Sequence, residues 1–559
     1  MSPRGVDRKV SVLTVGGLGA RDLAGCEHRT ALDSSSSEVA ATLPHTASAV
    51  RRMEAAALHR AQVRQTLRGF HRDSWIDISE TGLQSHADRV EMTMRAISSG
   101  TRWIWSPALP DDPSGAHGSP EALVATPEGH VPVIVVNHRV SHAAPDRSRV
   151  ARVTSETVTS PLWAWMPGRD PARSARPHRR DQLRLAHLRR ILISAGVRTP
   201  WTGASIGLDA DSVIITDLAP IWQGYLATFN RRRDIAAGRE PTRPSRVGEC
   251  RGCRWWPVSC EPRLLVDHDV SLVVNGQQAT ALRSHGVTSV DQLARASSAP
   301  DEWAGAPFDD AVVVARAWLA DVPIVRRVPR PTIHRADVEV DVDMESHGED
   351  GAYLWGTLLT DNTDPSVPVR YRPFASWSPL PTDDEARSFA EFWAWLSARR
   401  AEAAEAGKTF AAYCYSQSAE NRWLRSSARR FSGFDGVPTL AEVDEFIDSD
   451  QWQDVFEAVA DGFICPHGRG LKTIAPLAGF TWRDPEAGGE ASMEWYRRAV
   501  GIGGRADIGQ RTRLLQYNED DVRATKVLRE WIDQRAADEV PTIDELPLAG
   551  SAAQDDRRR

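Results

Sequence analysis

Leu515-Gln516-Tyr517-Asn518-Glu519-Asp520-Asp521-Val522-Arg523-Ala524-Thr525 decides how the C-terminal part of this chain is read. The run continues through Lys526-Val527-Leu528-Arg529-Glu530-Trp531-Ile532, a pattern that predicts one long helix. Positions four apart share a helix face, so Tyr517 and Asp521 point to the same place. A hydroxyl beside a carboxylate can help to hold a divalent cation and orient a water for attack on a phosphodiester. Alone the pair carries little weight, because any surface helix can present it. Acids upstream decide whether it belongs to a site.

Val338-Glu339-Val340-Asp341-Val342-Asp343-Met344-Glu345 alternates apolar and acidic residues, the period of a strand with one acidic face. Gly351 to Thr360 follows after a short turn and predicts the second strand of a hairpin. Asp343 and Glu345 project from one face, which is costly unless they bind cations or share a proton. Asp341 competes with them, and Glu339 faces the same way. An apolar strand, Phe410-Ala411-Ala412-Tyr413-Cys414, then leads through a polar turn to Glu420 at the opening of a helix. A carboxylate is favoured at a helix N-terminus in any case. Gly470-Leu471-Lys472, Gly479-Phe480 and Trp482-Arg483 come next, followed by Gly488-Gly489 and Met493-Glu494-Trp495-Tyr496.

In that order, Asp-x-Glu, Tyr…Glu, Gly-Leu-Lys…Gly-Phe…Trp and Tyr-Asn-x-x-Asp-x-x-Ala-Thr resemble the YprB-type branch of the DnaQ-like 3′–5′ exonucleases. The matching stretches run from about residue 337 to 535. The resemblance implies a ribonuclease-H-like fold with four metal-binding acids, here Asp343, Glu345, Glu420 and Asp521. Tyr517 matches the tyrosine that orients the attacking water. Many relatives carry Asp where Glu420 stands, and the YprB-like branch accepts Glu. Two Mg²⁺ or Mn²⁺ ions are implied, with DNA as substrate in repair or recombination and a helicase as a candidate partner. RNA is the alternative substrate, and a non-catalytic nucleic-acid-binding scaffold is the reading from another class. Lys472 and Arg483 are candidates to hold the substrate backbone, or else structural or solvated side chains.

The N-terminal half carries the more distinctive cysteines. Cys250-Arg251-Gly252-Cys253 and Cys260 form a C-x2-C-x6-C group. Two thiols at that spacing can share one metal, and four soft ligands are normally needed. Cys26 is the obvious fourth. One early and three late cysteines resemble the iron–sulfur staple of RecB-type nuclease domains, with the last gap one residue longer than expected. A [4Fe-4S] cluster, a four-cysteine zinc site and metal-free thiols are the three readings. Between the cysteines come a helical region (48–72), a further element at 92–97, the stretch Gly118 to Val124, a Pro127-Glu128-Gly129 turn, the strand Pro132 to Arg139 and an amphipathic helix from Asp181 to Leu192. In active members of the RecB-like superfamily the first strand supplies Asp, the second Glu-x-Lys and the helix Gln. Here Glu121 stands for the Asp and Gln182 for the Gln, but Val135-Val136-Asn137 offers neither carboxylate nor lysine. The resemblance therefore implies a degenerate nuclease that still binds DNA.

The chain of 559 residues is too long for one core. It reads as a multidomain α/β protein: a RecB-like α/β domain over 1–262, a small helical module resembling a helix-hairpin-helix over 263–330, a ribonuclease-H-like mixed-sheet domain over 331–540, and a disordered tail over 541–559. In the middle module, two short helices flank Gly286, with Thr288 or Ser289 as cap. A plain helical linker fits that segment equally. The composition, 41% hydrophobic and 26% charged, is that of an ordinary soluble protein, and no apolar run is long enough to cross a bilayer. The cytoplasm is the default location. Net charge is −7, yet His138 to Arg198 holds 13 Arg against 4 acids, a local +9 (13 − 4). Such a segment is either an electrostatic footprint for phosphates or a solvated face.

Overall fold

The structure is a computed structural model that describes residues 17–83, 85–143, 157–502 and 504–546. The chain divides into two compact units, Met1–Val266 and Asp267–Arg559. The helical middle segment thus groups with the C-terminal unit instead of standing alone. No described helix is long and apolar enough to cross a membrane.

The first unit is built on an eight-stranded mixed sheet. Its strands are β1 (Trp75–Asp77), β2 (Trp103–Trp105), β3 (Ala122–Thr126), β4 (Gly129–Val135), β5 (Val158–Pro161), β6 (Gly168–Arg169), β7 (Thr202–Ile206) and β8 (Ser212–Asp217). They lie in the order β1-β2-β3-β4-β7-β8-β5-β6. β3 and β4 form a tight antiparallel hairpin with Ala122 opposite Val133, and β4 runs parallel to β7. β4 is apolar at consecutive positions because both its faces are covered. Val131, Val133 and Val135 pack on Val63 and Leu67 of α1 (Ala47–Phe70). Ile134 packs on Leu185 and Leu188 of α2 (Arg179–Ser194). The strand stops at Val135, earlier than its apolar run suggests, so Asn137 lies beyond its end and is exposed.

The second unit opens with two short helices, Gly276–Ser284 and Val290–Leu293. Gly286 between them takes the left-handed φ of +81°, and the Ser289 hydroxyl accepts the Gln292 N–H at 3.2 Å. A third helix, Phe308–Leu319, completes a small separate core.

A five-stranded mixed sheet follows: β9 (Val338–His347), β10 (Gly351–Asp361), β11 (Arg370–Ala375), β12 (Phe410–Cys414) and β13 (Trp452–Asp454). Its order is β11-β10-β9-β12-β13, with β9 antiparallel to β10 and parallel to β12. The alternation in β9 sorts its side chains. Val338, Val340, Val342 and Met344 join the main core with Phe389, Phe392 and Leu396 of the helix Asp384–Glu405. The acids between them take the other face. Helices α3 (Ser418–Arg430), α4 (Gly489–Ala499) and α5 (Ile508–Gln534) complete the frame of the site.

The boundary drawn at 541 for a disordered tail is corrected by packing. Thr542 bridges to Arg326, Ile543–Glu545 form a 3₁₀ turn, and Leu546 is buried against Val313, Val325 and Ile464. Residues 547–559 of that tail lie outside the described residues, as do 144–156 of the Arg-rich segment.

Candidate active site

Glu339, Asp341, Asp343 and Glu345 share one face of β9, and that face divides into two halves. At one end Arg529 of α5, fully buried, pairs with Glu339 and, at 2.9 Å, with Asp341. Arg335 adds a second pair to Glu339 at 2.7 Å. Burial works against the Glu339 charge, but Arg335 and Arg529 outweigh it and bring its carboxyl down to about 2. Complete burial pushes Asp341 up even against Arg529. These two acids belong to a structural ion network and are already partnered.

Among the described residues no guanidinium pairs with the acids of the other half, and Lys472 acts on them only from a distance. Asp343, Glu345 and Asp521 each bring a carboxylate oxygen within 4.8 Å of the others. Among the described residues no other group of three His, Cys, Asp or Glu is so tight. Burial, and then the neighbouring Asp521, push Glu345 up to about 8, while the Ser492 hydroxyl on α4 pulls the other way. Burial and the charges of Asp521, Glu345 and Glu420 raise Asp343 well above the usual carboxylate range. Burial also raises Asp521, against the pull of Lys472.

Glu420 stands outside the tight group, although its charge reaches Asp343. It sits in the first turn of α3, buried, and burial pushes it up to about 8. Its Oε2 is buried with no hydrogen-bond partner. The turn that delivers it is fixed by Asp454, whose carboxylate accepts the N–H groups of Ser416 (2.9 Å) and Gln417 (3.0 Å). Ser416 takes a left-handed φ of +70° there.

Helix α5 approaches β9 closely because β10 carries Gly356 opposite Asp343. A Cβ at Gly356 would overlap the Asn518 side-chain oxygen. Asn518, fully buried, donates its amide to Asp343 Oδ2 at 2.7 Å, and the Tyr371 hydroxyl donates to Asn518 Oδ1 at 2.7 Å. The chain Tyr371–Asn518–Asp343 therefore orients the carboxylate. Tyr517 hydrogen-bonds Asp521 and accepts the Lys472 ammonium at 2.9 Å. Burial and the surrounding acids raise its phenol far above the usual range, so it keeps its proton.

The segment 470–483 clasps α5. Trp482 donates Nε1–H to Asp521 Oδ1 at 2.6 Å. Arg483 binds Asp520 at 2.7 Å, Glu519 at 2.9 Å and the Gln516 carbonyl at 2.9 Å. Its guanidinium is engaged with the helix and is not free for a substrate phosphate. Sequence reasoning missed Asn518, Trp482, Gly356, Tyr371 and Ser492. Asn518 and Trp482 lie inside the motifs quoted above, whereas the role of Gly356 needs the strand register.

Residues 431–533 match the family model described as the RNase_H superfamily. The C-terminal domain is ribonuclease-H-like. The match contains Lys472, Trp482, Tyr517 and Asp521; the sheet brings Asp343 and Glu345 to them from outside it. No curated protein and no solved structure matches the chain. The ribonuclease-H-like domain is a nuclease-type fold, and its oxygen-only donors suit a hard divalent cation such as Mg²⁺ or Mn²⁺. The unpartnered Glu420 oxygen fits the same need.

The N-terminal unit places its residues differently from the ribonuclease-H-like site. Glu121 precedes β3, and both its oxygens accept from Arg184 of α2 at 2.8 and 2.9 Å. It also accepts the Val135 N–H at 3.0 Å. Gln182 is half-buried on α2 and Asn137 is exposed. Arg139, Arg173, Arg180, Arg184 and Arg190 of the Arg-rich segment pair with acids, which accounts for much of its charge within the fold.

All six cysteines are free. Cys26 caps the helix Glu27–Ser35 and donates its N–H to Glu249, next to Cys250. Arg254 and Trp255 both reach Asp33 of that helix, at 2.9 and 2.8 Å. The fold thus brings the early and late cysteines together. Burial raises Cys250, and burial pushes Cys260 up to about 12; in both cases the neighbouring thiols, Cys26 and Cys253 among them, push the same way.

Proposed function

We propose that the protein is a metal-dependent 3′–5′ exonuclease acting on DNA, in repair or recombination, with its chemistry in the ribonuclease-H-like domain. One observation carries the reading: Asp343, Glu345 and Asp521 converge, with the charge of Glu420 reaching Asp343, and among the described residues none of these carboxylates has an ion-pair partner, Lys472 acting only from a distance. Carboxylates this close and this buried are costly without positive charge. Two Mg²⁺ or Mn²⁺ ions held by these four residues would supply that charge, activate water and stabilise the leaving oxygen.

The chain's own groups support this chemistry by position. Asn518 fixes the direction of the Asp343 oxygens. Trp482 does the same for Asp521. Tyr517 offers a hydroxyl to orient the attacking water; in the metal-free fold burial and the neighbouring acids hold its phenol well above the usual range. Lys472 is exposed on one side and touches Tyr517 on the other, which suits contact with a substrate phosphate.

In the N-terminal unit the four free cysteines are proposed to hold a [4Fe-4S] cluster that staples a DNA-binding platform. The charges of Cys253, Cys26 and Cys250 all bear on Cys260, which supports one shared metal group. Blue-violet absorbance from anaerobically purified protein is expected; a colourless preparation with stoichiometric zinc would overturn it.

The nuclease reading is tested with labelled single-stranded DNA, duplex DNA and RNA, with Mg²⁺ or Mn²⁺, beside an Asp343→Ala/Asp521→Ala variant. Loss of nucleotides from free 3′ ends of DNA by the parent only is expected, with 3′-blocked ends resistant. No metal-dependent degradation would end the enzyme reading in favour of a scaffold. Degradation of RNA alone would change the substrate, and activity in the variant would move the chemistry to the N-terminal unit.

A further inference from the structure

The N-terminal unit holds a cleft of about 390 Å³ between α1, the helix His86–Ser98 and the start of β3. Arg60, Arg64, Arg89 and Glu121 line it. Two of these charges are already matched. Glu121 is bound through both oxygens by Arg184. Arg64 is held by Asp77 at 2.6 Å and by Glu80. Arg60 and Arg89 have no carboxylate partner among the described residues, and both remain half-buried at the cleft. The Arg89 Nε–H is buried and makes no hydrogen bond.

A guanidinium N–H left unpaired in the interior carries a desolvation cost that a ligand can remove. The cleft therefore has two positive charges to spare, and the Nε–H of one of them has no acceptor. Guanidinium forks match phosphate oxygens in geometry and charge. Its volume falls in the range of small-ligand pockets, and Trp105 and Pro107 add an apolar wall that a bare inorganic anion would not need.

We infer that this cleft binds the phosphodiester backbone of a single nucleic-acid strand through Arg60 and Arg89. The choice of a nucleic-acid strand rests on the proposed nuclease reading; the positive charge and the open donor do not. The cleft lies where Glu121 would serve a metal if it were free. With Arg184 on that carboxylate, the place has the chemistry of an anion site instead.

The test is anisotropy of a short fluorescein-labelled oligothymidylate with the full-length protein in EDTA, across a salt series. Arg60→Gln/Arg89→Gln is expected to weaken binding roughly tenfold and to flatten the log–log salt slope by about 1.4, two contacts at about 0.7 each. Arg60→Lys/Arg89→Lys is expected to keep the parent's salt slope while losing part of the affinity, which separates lost charge from lost folding. Equal affinity and slope in the Gln variant overturn the proposal. So does a Lys variant with the flattened slope of the Gln variant, since that marks a structural role. Displacement of the oligomer by inorganic phosphate at equal phosphate concentration overturns the strand in favour of a free-anion site. Degradation with Mn²⁺ is measured separately on the parent. Its absence sinks the nuclease reading while binding in EDTA is still scored on its own.

Discussion

In each unit a carboxylate at a strand meets a helix, and the helix decides what the carboxylate becomes. Glu121 beside β3 meets Arg184 of α2 and is clamped through both oxygens. Asp343 on β9 meets Asn518 and Asp521 of α5, an amide and another acid. The first carboxylate is neutralised by the fold. The second is oriented but left with its charge uncompensated. β9 repeats the contrast along its own length, because Arg529 serves Glu339 and Asp341, and among the described residues no guanidinium pairs with Asp343 or Glu345. One guanidinium separates a structural acid from an acid available to a metal.

The comparison breaks most visibly if Asp521 is removed. Asp521→Asn keeps the shape but takes away one charge, and metal-dependent degradation is expected to fall by at least about 10³-fold, about 4 kcal/mol in barrier. A rate within tenfold of the parent contradicts the assignment. Next in size is Arg529→Met, which strands Glu339 and Asp341 in the interior. Urea denaturation is expected to show a loss of about 3–5 kcal/mol. A neutral outcome means that the two halves of the β9 face do not differ as described.

Much of this site is legible in the amino-acid sequence. The alternation in 338–345 announces a strand with one acidic face, and Tyr517 with Asp521 announces one side of a helix. Thr525 and Arg529 continue the same four-residue step, so the cation that separates Asp341 from Asp343 lies within that same helical run. Its partner choice depends on how α5 lies along β9, which no local pattern contains. Gly356 is silent for the same reason, since only the β9–β10 register sets it opposite Asp343. On α2 the sequence pattern draws attention to Gln182, while Arg184, two residues on, is the side chain that reaches Glu121. The early end of β4 is hidden because Val136 continues its apolar run past the last paired residue.

A smaller effect sharpens the contrast through pH. Glu345 has its carboxyl raised from about 4.5 to about 8 in the metal-free fold. A raised carboxyl contributes stability below its unfolded value and loses it as pH rises through its folded value. Metal-free protein is therefore expected to lose stability between about pH 4.5 and 8. Glu345→Gln is expected to be more stable than the parent by about 1–3 kcal/mol at pH 8, with the advantage gone below pH 4.5. Thermal melts in EDTA across that range check it; a parent that is the more stable at pH 8 contradicts it. The smallest effect belongs to the other unit. Arg184→Met, breaking a partly exposed pair, is expected to cost about 1 kcal/mol in a thermal melt and to create no new metal-dependent degradation. New cleavage would mean that one cation was all that kept the Glu121 site silent.

The most direct test of the central claim is a Mn²⁺ titration of the full-length protein followed by electron paramagnetic resonance. Binding by the parent and by Glu121→Gln, lost in Asp343→Asn/Asp521→Asn, is the result expected of a metal site built from the uncompensated acids. Binding that survives in the double variant, or that disappears with Glu121, would contradict it.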